Sequence, residues 1–219
     1  MRRDNDFAEQ RAGMVERQLR RRGISDERVL QAMATVPREH FVPEDVRRSA
    51  YNDSALPIGH DQTISQPWVV AAICQSLRLV GDEKVLEIGT GSGYSAAILS
   101  QLAAHVVSIE RVPALGEWAR ERLDELGIRN VELIIGDGSR GYPQRAPYDA
   151  IAVHAASPEA PHSLLSQLAP GGRLVVPIAA DSADLLTAFI RENGDLRQET
   201  IGPTRFVPLI GAEGFQPPD

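Results

Sequence analysis

The feature that most constrains this chain is Val85-Leu86-Glu87-Ile88 running directly into Gly89-Thr90-Gly91-Ser92-Gly93, with Tyr94, Ala97, Ile98 and Leu102 at helical spacing behind it. A short apolar run, a turn of alternating glycines and an amphipathic stretch predict strand, turn and helix in that order. Glycine suits such a turn because its backbone bends tightly and no Cβ stands between it and a ligand. The helix that follows offers N–H groups with no partner of their own. A loop of this kind can be structural or can serve NAD, FAD or a phosphate, so spacing must discriminate. The dinucleotide fingerprint is Gly-x-Gly-x-x-Gly; here the third glycine comes one residue early, and an acid, Glu87, precedes the loop.

Short apolar runs alternate with helical stretches from Lys84 onward, which predicts βα units and a mainly parallel sheet. Strands are expected at Lys84 to Ile88, Val106 to Glu110, Val131 to Ile135, Ala150 to Val153 and Arg173 to Pro177. A helix should start near Pro113, whose fixed φ suits a first turn, and stop at Gly127. Leu185 to Ile190 and Leu196 to Ile201 read as a hairpin around Asn193-Gly194. Upstream, Ser25-Asp26-Glu27 before Val29, Leu30, Met33 and Val36 predicts a helix capped by a hydroxyl and ended by Pro37. Pro37 to Gly59, with three prolines, reads as an irregular segment packed on a core. The expected class is α/β: a Rossmann-like, doubly wound, mainly parallel sheet with antiparallel C-terminal strands and an N-terminal helical cap. One domain should span 1–219, with the cap and a substrate segment over 1–80, a cofactor-binding core over 81–180 and the terminal strands and tail over 181–219.

Composition narrows the partners. With 23 Lys and Arg against 30 Asp and Glu the formal charge is −7, which disfavours nucleic acid. The basic cluster Arg17, Arg20, Arg21 and Arg22 is interleaved with Met14, Val15, Gln18 and Leu19 and reads as a solvated helix face. No run approaches the roughly 20 apolar residues of a membrane span, and the N-terminus lacks a signal-peptide core, so a cytoplasmic monomer without membrane attachment is expected. The single cysteine, Cys74, lies in an apolar run and should be buried and inert. His40, His60, His105, His154 and His162 show no ligand spacing, so no metal is expected. No Gly-x-Ser-x-Gly supports a hydrolase triad.

Three further places carry chemistry. Glu110 ends the strand after the glycine loop, 17 residues beyond Gly93, where two carboxylate oxygens can accept both hydroxyls of a ribose; a plain surface carboxylate is the alternative. Gly136-Asp137-Gly138 follows the next strand and could be a simple turn or a seat for a flat ring, with Asp137 accepting from an exocyclic amine. Gln62-Thr63-Ile64-Ser65 precedes a helix with Pro67 in its first turn, and on its own Ser65 is explained as an N-cap.

The Glu-x-Gly-x-Gly-x-Gly arrangement resembles the first motif of class I methyltransferases. Adding Val36-Pro37-Arg38-Glu39-His40-Phe41-Val42-Pro43, Gly136-Asp137-Gly138, Pro170-Gly171-Gly172-Arg173-Leu174 and Phe206-Val207-Pro208-Leu209-Ile210-Gly211, in unbroken order from about Met14 to Phe215, the chain resembles the protein-L-isoaspartate O-methyltransferases. The resemblance implies S-adenosyl-L-methionine as cofactor, held by Glu87, Gly89, Thr90, Gly91, Ser92, Gly93, Glu110, Asp137 and Gly138. It implies transfer of a methyl group to the free α-carboxylate of an isoaspartyl residue in a damaged protein or peptide. Ser65 becomes the active-site residue, a donor to that carboxylate, with Gln62, Thr63, Ile64, Val207 and Leu209 around the substrate. Asp61 stands where the family's glycine is expected, and His154 where a threonine is more usual. Alternatives are a same-fold enzyme methylating another carboxylate, or a binding protein that keeps the pocket without transfer. An NAD-dependent reductase is disfavoured by the loop spacing.

Overall fold

A computed structural model of the chain describes residues 2–192 and 194–216. The N-terminal cap consists of α1 (Arg2–Met14), which widens into a π-turn at Val15–Leu19 and then tightens into a 3-10 turn at Arg20–Arg22, and α2 (Glu27–Thr35). Met14 and Leu19 are buried as the apolar side of that face, while Arg20 and Arg22 pair at the surface with Glu27 and Asp53. The cap of α2 is Asp26, not the hydroxyl of Ser25: its carboxylate accepts from the backbone N–H groups of Arg28 and Val29, and an anion there also opposes the helix dipole.

The expected irregular segment contains two 3-10 turns and then a small hairpin, β1 (Leu56–Gly59) with β2 (Gln62–Ile64). Its two-residue loop, His60-Asp61, has φ of 53° and 56°. Positive φ at both central residues is the requirement of a tight turn that matches strand twist. From there the chain enters α3 (Pro67–Leu77) and the βα core: β3 (Lys84–Ile88), α4 (Tyr94–Ser100), β4 (His105–Glu110), α5 (Pro113–Glu125), β5 (Val131–Ile135), β6 (Tyr148–Val153), α6 (His162–Ser166) and β7 (Leu168–Ile178). The antiparallel strands β8 (Asp184–Glu192) and β9 (Asp195–Thr204) follow. Asn193 lies outside the described residues, so of the expected Asn-Gly turn only Gly194, φ 93°, is described; the expected loose tail lies outside them beyond Gln216.

One sheet of seven strands runs in the order β5-β4-β3-β6-β7-β8-β9, parallel from β5 to β7 and antiparallel beyond. Side chains alternate between its faces. Val85, Val106 and Ala150 pack with the N-terminal helices, α3 and α4, whereas Leu86, Ile88, Val107 and Ile151 pack on the other face with Leu164 of α6. A fully buried aliphatic side chain contributes roughly 1.5–3 kcal/mol, so both layers hold the sheet firmly. Glu87 shares a face with Val85, which puts its carboxyl under α4. The chain builds outward from β3 to β5, then returns to place β6 on the other side of β3. Such a reversal leaves a crevice at the carboxyl ends of the two strands. Among the described residues no helix is long and apolar enough to cross a membrane.

Candidate active site

A crevice of about 350 Å³ opens at that reversal, within the size range of small-molecule sites. Its floor is the turn after β3. Gly89, Gly91 and Gly93 all have positive φ, of 88°, 56° and 93°, so any other residue type would strain the turn. At Gly91 a Cβ would also stand 3.3 Å from Ile58 Cδ1 of the hairpin, so glycine lets β1 close over the loop. Gly89, Thr90, Gly91 and Ser92 line the crevice; Gly93 does not, and sits at the head of α4 against Ala119.

Glu110 comes in from the end of β4 and is buried. One carboxylate oxygen accepts from Gly91 N at 2.8 Å and the other from Val112 N at 2.8 Å. The acid thus fixes the glycine turn, and each oxygen keeps a lone pair for a hydroxyl in the crevice. Glu87 lies below the floor with no exposed surface. Ser95 and Ser108 donate to its two oxygens, which obliges Thr90 to donate to Ser108. Burial lifts the Glu87 carboxyl to about 7; the two serine hydroxyls work against that rise and Glu110 adds to it. His154, just after β6, lines the crevice and brings Nε2 to 3.4 Å from Glu87. Burial pushes its imidazole down to about 4, so near neutral pH this contact is not an ion pair. Nε2 has no hydrogen-bond partner among the described residues.

The opposite wall is the hairpin. Gln62, Thr63, Ile64 and Ser65 line the crevice, with His60 and Asp61 at its rim. Ser65 is half-buried and does not cap α3; the cap position is Gln66, which makes no side-chain cap bond. Val207 and Leu209 complete the wall. They are extended without belonging to a long strand: Ala156 N donates to Val207 O at 2.8 Å, and Leu209 N donates to Ala156 O at 2.7 Å. Gly138 reaches the crevice, but Asp137 does not line it. The Asp137 carboxylate instead accepts from Ser139 N at 2.8 Å and Ala212 N at 2.9 Å. Arg111, Val112 and Pro208 also line the crevice; their neighbours Glu110 and Val207 are the only signal in the sequence that leads to them. Cys74 is buried, which raises its thiol pKa and removes it from chemistry. A glycine floor without Cβ atoms, a strand-end acid with spare lone pairs and an unpartnered imidazole nitrogen form a donor and acceptor set that fits an adenosyl amino acid.

The family model described as protein-L-isoaspartate(D-aspartate) O-methyltransferase (PCMT) matches residues 9–214. A protein-L-isoaspartate O-methyltransferase of Rhodopseudomonas palustris (strain HaA2) is 56% identical over 211 residues, covering 95% of this chain and 86% of that protein. Its counterpart in Methanoculleus marisnigri is 51% identical over 207 residues, covering 94% of each. A solved protein-L-isoaspartate O-methyltransferase superposes with a TM-score of 0.84 at 32% identity, over 93% of this chain and 67% of that one. A Plasmodium falciparum structure described as a beta-aspartate methyltransferase in complex with S-adenosyl-L-homocysteine gives a TM-score of 0.80 at 26% identity, over 91% and 98%. This chain therefore belongs to the protein-L-isoaspartate(D-aspartate) O-methyltransferase family.

Proposed function

We propose that the crevice transfers a methyl group from S-adenosyl-L-methionine to the free α-carboxylate of an L-isoaspartyl residue in a protein or peptide. One observation carries this: Ser65, at the junction of β2 and α3, lines the same crevice as the glycine turn and Glu110. Bound S-adenosylmethionine supplies an electrophilic methyl carbon on a positively charged sulfur. Glu110 would accept from the ribose hydroxyls, Gly138 with the neighbouring Asp137 would meet the adenine, and the turn after β3 above Glu87, with Gly93 shaping it from the head of α4, would take the amino-acid end. An acceptor carboxylate with a solution pKa of about 4 is already an anion at neutral pH, so no side chain has to remove a proton. The chain's task is alignment and exclusion of water. Ser65 donates its hydroxyl hydrogen to one carboxylate oxygen and leaves the other for attack. Gln62, Thr63, Ile64, Val207 and Leu209 wall the peptide. The methyl ester then closes to a succinimide as a backbone amide nitrogen of the peptide attacks the ester carbon and methanol leaves, and water reopens the ring partly to normal aspartate.

Methyl-labelled cofactor with matched isoaspartyl and aspartyl peptides is expected to label the first alone. Transfer to neither, with cofactor bound, overturns the proposal; preferential labelling of a small carboxylic acid favours the same-fold alternative. Ser65→Ala should lower turnover about tenfold or more and leave cofactor affinity within about twofold; equal losses remove Ser65 from the substrate site. A cytoplasmic monomer acting on polypeptide, not on nucleic acid or membrane, belongs to the same proposal. The net charge of −7 supports its nucleic-acid clause, and size-exclusion chromatography tests the oligomeric one.

A further inference from the structure

Directly behind Ser65 lies a charge that the reaction as described does not use. Arg38 is 0% exposed and is the largest fully buried side chain among the described residues. Its Nε donates to Ala50 O at 2.7 Å and one terminal nitrogen donates to Ser65 O at 2.8 Å. The other terminal nitrogen, also buried, has no partner among the described residues. The guanidinium carbon stands 4.9 Å from the ring centroid of Tyr94, a residue that itself lines the crevice.

What Arg38 lacks is a counterion. No carboxylate stands within ion-pair distance of it among the described residues; the adjacent Glu39 is taken by Arg11 at 2.9 Å and by the Tyr51 hydroxyl. A buried charge is ordinarily paired, because leaving water without compensation is costly. Burial presses the Arg38 pKa down from its ordinary value, yet a guanidinium starts so high that it remains charged at any working pH. Two neutral carbonyls and an aromatic face soften the cost without cancelling the charge. The protein thus maintains, at the expense of stability, an unpaired cation hydrogen-bonded to the carbonyl of the residue whose hydroxyl is expected to meet an anionic acceptor.

We propose that Arg38 is a positioning residue that makes the crevice select an anion: its buried charge supplies the field for the acceptor carboxylate, and its bond to Ser65 O holds the serine in place. The inference rests on the acceptor being a carboxylate. Its test therefore measures binding, separately from the transfer assay. The enzyme saturated with S-adenosylhomocysteine is titrated with an isoaspartyl peptide carrying a free α-carboxylate and with the same peptide carrying an α-carboxamide.

The wild-type enzyme is expected to prefer the carboxylate by on the order of tenfold. Because the charge is buried, the preference should survive 0.1 to about 1 M salt; one arising from exposed Arg111 at the rim would be screened away. Arg38→Met should bring the two affinities within about twofold of each other by weakening the carboxylate about fivefold or more beyond any loss at the carboxamide. Arg38→Lys, which keeps the charge and loses the forked bond to two carbonyls, should retain the preference and lower kcat. A merely structural Arg38 would weaken both peptides alike. Should Arg38→Met not fold, the salt series on wild type and the Arg38→Lys pair decide. Loss of the wild-type preference in salt, or its persistence in Arg38→Met, overturns the inference. Failure of isoaspartyl methylation alongside an intact anion preference would instead reject the assigned substrate.

Discussion

Glu87 and His154 meet at 3.4 Å, and burial displaces them in opposite directions. Glu87 rises from its ordinary 4.5 to about 7, so between those values the folded chain holds a proton that the unfolded chain has lost, and stability falls as pH rises. His154 drops from 6.5 to about 4; there the unfolded chain holds the extra proton, and stability grows as pH rises. Each slope amounts to about 1.4 kcal/mol per pH unit for one proton. Over the shared window they oppose each other. Glu87→Gln removes the Glu87 slope, so its Tm should rise relative to wild type from about pH 4.5 to 7. His154→Thr removes the other slope, so its Tm should fall relative to wild type from about pH 4 to 6.5. Thermal melts at fixed ionic strength check both, and curves parallel to wild type reject the pair. At this scale the sequence is readable where a residue's type is its function: Glu87 before the glycines, Glu110 at a strand end. Ser95 and Ser108, which hold Glu87 in place, carry no such mark, because a serine on a buried strand or helix looks like any small residue until its partner is known.

At the scale of elements, legibility follows burial. The five parallel strands are evident as apolar runs, and α5 begins and ends where Pro113 and Gly127 say it should. The hairpin of β1 and β2 is invisible as such, since its strands have four and three residues, Pro57 interrupts the pattern, and its turn uses His60-Asp61 instead of Asn-Gly. β7 begins at Leu168, before the Arg173 expected from the sequence: Leu168 pairs with Tyr148, the ladder breaks over Pro170-Gly171-Gly172, where Gly171 has φ 79°, and pairing resumes at Arg173 opposite Ala150. The left-handed geometry at Asp61 explains why a glycine is expected there, and an aspartate is among the few residues that tolerate it. The cost of keeping Asp61 is a negative charge at the rim of a crevice assigned to an anion. Asp61→Asn keeps the turn and removes the charge. It should lower KM for an isoaspartyl peptide about two- to fivefold at low salt, with kcat and cofactor affinity unchanged. The gain should shrink as salt rises; a salt-independent change would mean that the turn itself had moved.

Across the whole molecule, the crevice is closed by the far end of the chain, and the loop after β5 together with the start of α6 fastens that end. Asp137 accepts from Ala212 N, Ser139 Oγ accepts from Glu213 N at 3.0 Å, and the Glu213 carboxylate accepts from Ser163 N at 2.9 Å and from its hydroxyl. Sequence order gives no hint of this clasp, because its partners lie 50 to 75 residues apart. The two N–H groups on Asp137 outweigh its burial and hold its pKa below the ordinary value; the stability this contributes is present above pH 3.8 and lost as pH falls below it. Asp137 thus has two assignments, the clasp and the adenine amine, and a second clasp residue separates them. Glu213→Gln lies away from the crevice and weakens only the fastening of the segment carrying Val207 and Leu209. It should raise peptide KM by roughly three- to tenfold, the effect of one weakened charge-assisted hydrogen bond, with S-adenosylhomocysteine affinity within about twofold. Asp137→Asn should raise peptide KM similarly and weaken S-adenosylhomocysteine in addition. Unchanged peptide KM in Glu213→Gln rejects the clasp as a support for the substrate wall. Unchanged cofactor affinity in Asp137→Asn removes Asp137 from the adenine and leaves that contact to Gly138, whose backbone already reaches the crevice.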